Sequence, residues 1–269
     1  MNLIRYEHTC VPELFSLLRR DRYGFAVLSN IVQGDFGPVS KIVTDHARII
    51  LCYTCPPFPG WVWIPGDAGE EEMARAWALV QKELPHEEGY RVNMRPELAQ
   101  YILSTPEGAQ LRVEMQIDAY ACDALLPLEW QAQGDSFAVG MDWLDTATDW
   151  LYAMKQETGL DPMPREACEE EMRGFIANRR LFVWKVDGQI VSMCAVTVSG
   201  EMGYIGHVYT PEAHRRKGYA QSLVCRVTRA ILVQDIKPAL CVVSTNEAAA
   251  ACYRKLGFEL KGSFCTVGQ

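Results

Sequence analysis

The stretch HRRKGYAQSL, His214–Leu223, decides how the rest of the chain is read. Three cations, a glycine and a small residue stand directly before a helical pattern, with apolar residues at Leu223, Val227, Ala230 and Ile231. Ahead of it, GYIGHVYT (Gly203–Thr210) reads as a strand, and Pro211 blocks its continuation. A chain that leaves a strand and enters a helix here exposes unpaired backbone N–H groups and the positive end of the helix macrodipole. Gly218 removes the side chain at the tightest point, Ala220 keeps the next approach open, and Arg215, Arg216 and Lys217 add charge. Together they predict a cradle for a phosphate or pyrophosphate. The stretch is not a P-loop, because GxxxxGK[ST] is absent, and it is not GxGxxG.

The sequence around this turn parses cleanly. Upstream, LFVWKVDGQIVSMCAVTV (Leu181–Val198) is two strand-like runs about Asp187-Gly188, a favoured hairpin pair. Downstream, ALCVVS (Ala239–Ser244) is a short buried-strand pattern. NEAAAACYRKLG (Asn246–Gly257) is an alanine-rich helix closed by glycine, and FELKGSFCTV gives closing strands. Helices are predicted from about Trp143 to Lys155 and Pro164 to Asn178.

Within this frame Arg215-x-x-Gly218-x-Ala220 resembles the pyrophosphate signature of the GNAT superfamily of N-acetyltransferases, (Q/R)xxGx(G/A). The segment TNEAAAACYRKLGFEL is similar to the second signature of that family: Asn246, Tyr253 seven residues on, then a Leu-Gly-Phe helix exit. The resemblance covers about Asp145 to Val267, and VYTP with RRKGYA is closest to a subgroup that carries a divergent N-terminal domain. It implies an α/β fold with a mixed sheet, splayed at its centre. It also implies that acetyl-CoA is the cosubstrate, without a metal. By the same resemblance Val208, Tyr209 and Thr210 offer main-chain groups to the pantetheine arm. The amides of Arg216, Lys217, Gly218, Tyr219, Ala220 and Gln221, with Arg215 beside them, hold the pyrophosphate. Asn246 bonds the pantetheine or lines the cofactor cleft, and Tyr253 faces the thioester sulfur. A tyrosine hydroxyl, with an ordinary pKa of about 10, can protonate a leaving thiolate. A backbone N–H of the splayed strand, at Tyr209, can stabilise the carbonyl oxygen as it gains charge. For the general base the candidates are Glu201, at the start of the third strand, His207 on the strand itself, or a side chain of the N-terminal domain.

The remaining chain sets bounds. At 269 residues, with 49% hydrophobic and 22% charged residues, it is long enough for one large or two small globular domains. MNLIRYEHTC lacks the basic start and apolar core of a signal peptide, and no apolar run approaches a membrane span of about 18 residues. The expectation is a cytoplasmic protein with no membrane partner. The net charge of −8 argues against a nucleic-acid partner, yet Glu212–Lys261 holds nine Lys/Arg against four acids. That island of +5 suits a localised anionic ligand. Ten scattered cysteines read as reduced, mostly core residues; CYTC (Cys52–Cys55) has no second CxxC or paired histidines to complete a zinc site.

The first half shows helical patterns near Val11–Arg20, Phe25–Val32, Glu70–Leu84 and Pro96–Ser104, and strand-like runs at Arg48–Tyr53, Gly60–Ile64 and Leu111–Ala119. No internal sequence repeat is visible. Residues 1–128 are expected to form a divergent α/β domain, a degenerate acetyltransferase-like lobe being one reading, that caps the acceptor side. Residues 129–269 are then the GNAT-type domain, with Leu126–Gly140 as the linker. CPPFPGWVWIPGD (Cys55–Asp67) is a packed loop and edge strand, or a wall of the acceptor pocket. The reading is an acyltransferase that moves acetyl to a primary amine by direct attack, with Tyr253 as general acid. A CoA or acyl-CoA sensor without catalysis, an enzyme using a longer acyl donor, and a redox protein built on CYTC are the alternatives.

Overall fold

The computed structural model describes residues 3–34, 39–55, 58–84, 89–159 and 163–269. Pro56 and Pro57 of the proline-rich stretch lie outside them. The chain forms two compact units, Met1–Ala119 with Val242–Asn246 and Leu260–Gln269, and Tyr120–Cys241 with Glu247–Glu259.

The first unit runs through β1 (Ile4–Glu7), α1 (Phe15–Leu18), α2 (Ala26–Gln33), β2 (Val39–Thr44), β3 (Ile50–Thr54), β4 (Gly60–Trp63), α3 (Glu70–Glu83), β5 (Val92–Met94), α4 (Pro96–Leu103) and β6 (Arg112–Cys122). Strands β1 to β4 are antiparallel neighbours, and β4 pairs parallel with β5 through Gly60↔Val92 and Trp61↔Asn93. Side chains alternate across the sheet. Val43, Leu51, Val62 and Met94 pack under α3 and α4, while Ile42, Ile50, Cys52, Trp61 and Trp63 pack with α1 and α2. Sequence periodicity gives α2, α3 and α4, but the helix expected over Val11–Arg20 is a 3₁₀ turn at Pro12–Leu14 followed by the four-residue α1. The short strands β1, β2 and β5 carry too little alternation to stand out in the sequence.

The second unit runs through β7 (Asp135–Ala138), α5 (Leu144–Thr158), α6 (Arg165–Ala177), β8 (Leu181–Val186), β9 (Gln189–Ser199), β10 (Met202–Tyr209), α7 (Tyr219–Leu232), β11 (Lys237–Val243), α8 (Glu247–Lys255) and the start of β12 (Phe258–Gly268). Its strands lie in the order β11-β10-β9-β8-β7. The Asp187-Gly188 turn has positive φ at both residues, 48° and 86°, as a type I′ hairpin requires. Leu181, Val183, Met193 and Ala195 face α5 and α6. Helix α7 buries Leu223, Val224, Val227 and Ile231, and it packs on β8, β9 and β10.

The weakly periodic stretch Leu126–Gly140, expected as the linker, carries structure of its own: β7 pairs antiparallel with β8, the Trp184 indole donates to the Gln133 carbonyl at 2.9 Å, and the Ala132 N–H donates to Ser222 Oγ at 2.9 Å. The closing strands are one 11-residue strand, β12, whose later part lies between β5 and β6 in the first unit.

The element order also repeats. Each half of the chain reads strand, helix, helix, three strands, helix, strand, helix, strand. No sequence repeat announces this.

Candidate functional site

The candidate site grows from the end of β10. This strand pairs parallel with β11 only over Met202–Tyr204 and continues to Tyr209, so the two part company beyond Tyr204. On its other side β10 follows β9 in register to Gly206, then shifts, and resumes at Tyr209↔Met193. The extra residues form a β-bulge, with His207 in the left-handed region at φ 49°. A bulge beside a splay exposes backbone that a regular ladder would consume.

The loop that follows is held by side chains. Arg215 Nε donates to the Thr210 carbonyl at 2.8 Å, and its terminal nitrogen pairs with Glu157 Oε2 at 2.5 Å. Tyr209 Oη donates to the other oxygen of Glu157 at 2.9 Å, and the Arg215 guanidinium lies 5.8 Å from the Tyr209 ring centre. Burial, with the Glu157 carboxylate beside it, pushes the Tyr209 phenol up from its ordinary value. Ser192 Oγ lies 3.1 Å from the Tyr209 carbonyl and 2.9 Å from the Thr210 hydroxyl. The first of the three expected cations is thus engaged in fastening the loop to α5. Lys217 donates to the Ala213 carbonyl at 3.1 Å, and the exposed Arg216, at φ 62°, has no side-chain partner among the described residues.

Gly218 is the N-cap of α7, with φ 73°. The first helical bond is from the Ser222 N–H to the Gly218 carbonyl, at 2.9 Å. Among the described residues, none of the backbone N–H groups from Arg216 to Gln221 donates to another protein group, and no side chain caps the helix. These are the orphan donors of a helix start, gathered over six consecutive residues. The structure also changes the reason for the glycine. A Cβ at Gly218 would stand 2.4 Å from Cζ3 of Trp130, whose ring fills that side, so Gly218 serves the turn and the ring together. Trp130 is still 61% exposed, and no sequence signal pointed to it.

The remaining candidates are placed as follows. Val208 is half-buried on β10, and Tyr219, Ala220 and Gln221 form the half-buried first turn of α7. Asn246, exposed, directly precedes α8, and its N–H donates to the Val243 carbonyl at 2.8 Å. Tyr253 is buried on α8, its ring tilted against Phe258 at 6.1 Å. Burial, with the thiols of Cys252 and Cys194 nearby, pushes its phenol well above the ordinary tyrosine value. The hydroxyl therefore keeps its proton across the neutral range. Glu201 sits exposed in the turn before β10, where its carbonyl accepts the Lys237 N–H at 2.8 Å; that is the closed end of the strand pair. His207, at the open end, lies 2.8 Å through Nε2 from Oε1 of Glu171 on α6. Sequence reasoning gave no hint of Glu171 or Glu157, because both partners are reached only through tertiary packing.

In CYTC, Cys52 is buried in β3 and its thiol is pushed up to about 12 by burial, while Cys55 Sγ lies 2.8 Å from Ser40 Oγ. Cys52 is therefore not a reactive thiolate. Among the described residues no helix is long and apolar enough to cross a membrane.

The fold recurs among known proteins. Residues 185–267, from β8 to β12, match the family model of FR47-like proteins. A GNAT-family acetyltransferase from Colwellia psychrerythraea is 14% identical, with a TM-score of 0.64 and coverage of 99% of this chain and 98% of its own. A GCN5-related N-acetyltransferase from Sphaerobacter thermophilus is 16% identical, with a TM-score of 0.67 over 99% of this chain and 95% of its own. A GCN5-related N-acetyltransferase from Kribbella flavida, 16% identical, aligns at a TM-score of 0.55 over 82% and 86%. At these identities what is shared is the fold. No curated protein matches the sequence.

Proposed function

The chain carries the fold of the GNAT acetyltransferases, with its β8–β12 segment matching the FR47-like family, and from that premise we propose that it transfers an acetyl group from acetyl-CoA to a primary amine. The observation that carries the reading is the row of unengaged N–H groups from Arg216 to Gln221, at the head of α7 and at the end of the splayed, bulged β10. Acetyl-CoA supplies the activated thioester. The protein supplies the rest. The amides of Arg216–Gln221 and the free Arg216 guanidinium receive the two phosphates, in the manner of anions at helix starts. The released edge of β10, Val208–Thr210, offers main-chain groups to the pantetheine arm, as an added strand would use them. A backbone N–H at Tyr209 faces the carbonyl oxygen as it gains charge. Tyr253 donates its proton towards the departing sulfur. The raised phenol is a weak acid, so its contribution is a hydrogen bond that strengthens as the thiolate forms.

The first unit repeats the element order but not the cradle. Its equivalent loop, between β4 and α3, is Ile64-Pro-Gly-Asp-Ala-Gly69 and leads into Glu70, Glu71 and Glu72. Carboxylates there already answer the helix dipole, and Glu72 accepts the Gly69 N–H at 3.3 Å. An anion would meet like charge, so the first unit is a lobe without cofactor, and one acetyl-CoA binds per chain.

Calorimetric titration tests both statements. Wild type should bind one acetyl-CoA per chain, and Gly218→Glu, which sets a carboxylate among the amides, should lose the affinity. Equal affinity in the two proteins sinks the cradle; two sites per chain sink the assignment of the first unit.

A further inference from the structure

The bulge of β10 holds more than free backbone. His207 is one of seven non-glycine residues with positive φ among the described residues, and histidine is among the residue types that tolerate that region. Its ring is fixed from two sides, both on α6. Glu171 Oε1 lies 2.8 Å from Nε2, and the Phe175 ring meets the imidazole edge-on at 5.5 Å. The side chain of His207 is 18% exposed and that of Glu171 31%, so the pair is shielded without being sealed. Burial works against the Glu171 carboxylate, but the hydrogen bond and charge of His207, with Lys155, outweigh it and hold the carboxyl below its ordinary range. Glu171 is therefore an anion across the neutral range. With an anion at Nε2, the neutral ring carries its hydrogen there, and the lone pair stands on Nδ1. Nδ1 has no protein partner among the described residues.

We propose that His207 is the general base of the acetyl transfer and that Glu171 is its positioning residue. The inference rests on the acetyl-transfer reading above. Position favours His207 over Glu201, which sits at the closed end of β10 against β11, whereas His207 lies beyond the splay and two residues before Tyr209. In the step, His207 Nδ1 takes a proton from the acceptor ammonium. The freed nitrogen lone pair forms the C–N bond as the C–S bond of the thioester breaks, the sulfur leaves with the electron pair while Tyr253 hydrogen-bonds to it, the second proton lost by the new amide nitrogen passes to that sulfur, and the imidazolium returns its proton to water. Glu171 selects the tautomer and offsets the positive charge that the ring acquires. Among the described residues the other charged or titratable groups that act on Glu171 are Lys155 on α5 and Cys168 on α6; Glu157 on α5 is engaged by Tyr209 and Arg215 instead.

The test uses three variants of the full chain. His207→Asn keeps a residue that accepts positive φ and removes the base; Glu171→Gln keeps an oxygen for Nε2–H and removes the charge. For His207→Asn, kcat/KM near neutral pH should fall about 10²-fold, and the acidic limb of the pH–rate profile should vanish. Acetyl-CoA affinity by calorimetry should stay at the wild-type value. For Glu171→Gln, kcat should fall about tenfold with the KM for acetyl-CoA unchanged, and Glu171→Asp should recover part of the loss. An acidic limb unchanged in His207→Asn, with wild-type affinity, overturns the base assignment while leaving acetyl transfer intact. A wild-type kcat in Glu171→Gln overturns the positioning role. Failure of the wild type to bind acetyl-CoA overturns both readings at once.

Discussion

Gly218→Ala adds one methyl group, and its cost can be worked from two independent features. The backbone at Gly218 has φ 73°, where a side chain costs about 1–2 kcal/mol relative to glycine. The new Cβ would also stand 2.4 Å from Cζ3 of Trp130, against the roughly 3.5–4.0 Å of an ordinary carbon contact. The ring must move by more than an ångström. Because Trp130 is 61% exposed, it can swing outward, and the loss is its packing contact rather than a crushed core. The sum is about 2 kcal/mol, and for a protein of this size about 2–4 °C of melting temperature accompanies each kcal/mol, so the melt should fall by about 4–8 °C. In a Trp130→Ala background only the backbone part remains, and the same substitution should cost about half as much. Thermal unfolding followed by circular dichroism on the four proteins of this cycle measures both parts. Acetyl-CoA affinity should fall at least about tenfold in Gly218→Ala, because the strained loop no longer holds six amides on one centre. A Gly218→Ala protein that melts within about a degree of wild type would refute the assigned backbone geometry. An equal loss in both backgrounds would refute the Trp130 contact.

Tyr253→Phe removes one hydroxyl from a buried ring that packs on Phe258, so the fold should hold while the rate of CoA release with an amine acceptor falls at least about tenfold; an unchanged rate removes Tyr253 from the chemistry. The Glu171 carboxyl is held below its ordinary range in the folded chain, so the stability it contributes is fully present at neutral pH and is lost as pH falls through the folded value. Glu171→Gln should therefore flatten the acid end of the stability curve, measured by urea unfolding at stepped pH.

The readings that came from the sequence rest on signals confined to a few neighbouring residues. The Asp187-Gly188 turn, the strand before Pro211, the helical period after Lys217 and the glycine exit at Gly257 are local, and each has its counterpart in the structure. What failed was equally physical. Three-residue β5 and four-residue β1 and β7 are too short for a period, and β7 hides in a stretch with no pattern. The helix expected over Val11–Arg20 shrinks to one turn because tertiary packing of Leu14 and Leu18 outweighs propensity.

By itself the sequence determined the turn of unpaired amides at the head of α7, since a glycine, a small residue and a helix start are enough to leave them so. It also determined the order of elements around that turn. The tertiary structure alone decided how the charges are spent. It turns Arg215 towards Glu157, leaves Arg216 without a side-chain partner among the described residues, covers Gly218 with Trp130, and brings Glu171 to His207 across 36 positions of chain. It also shows the strand and helix order of one half repeated in the other without a repeated sequence. The reason is common to all of these. Side-chain partners and architecture are set by which faces pack together, and many sequences satisfy the same packing, so neither leaves a mark that can be read along the chain.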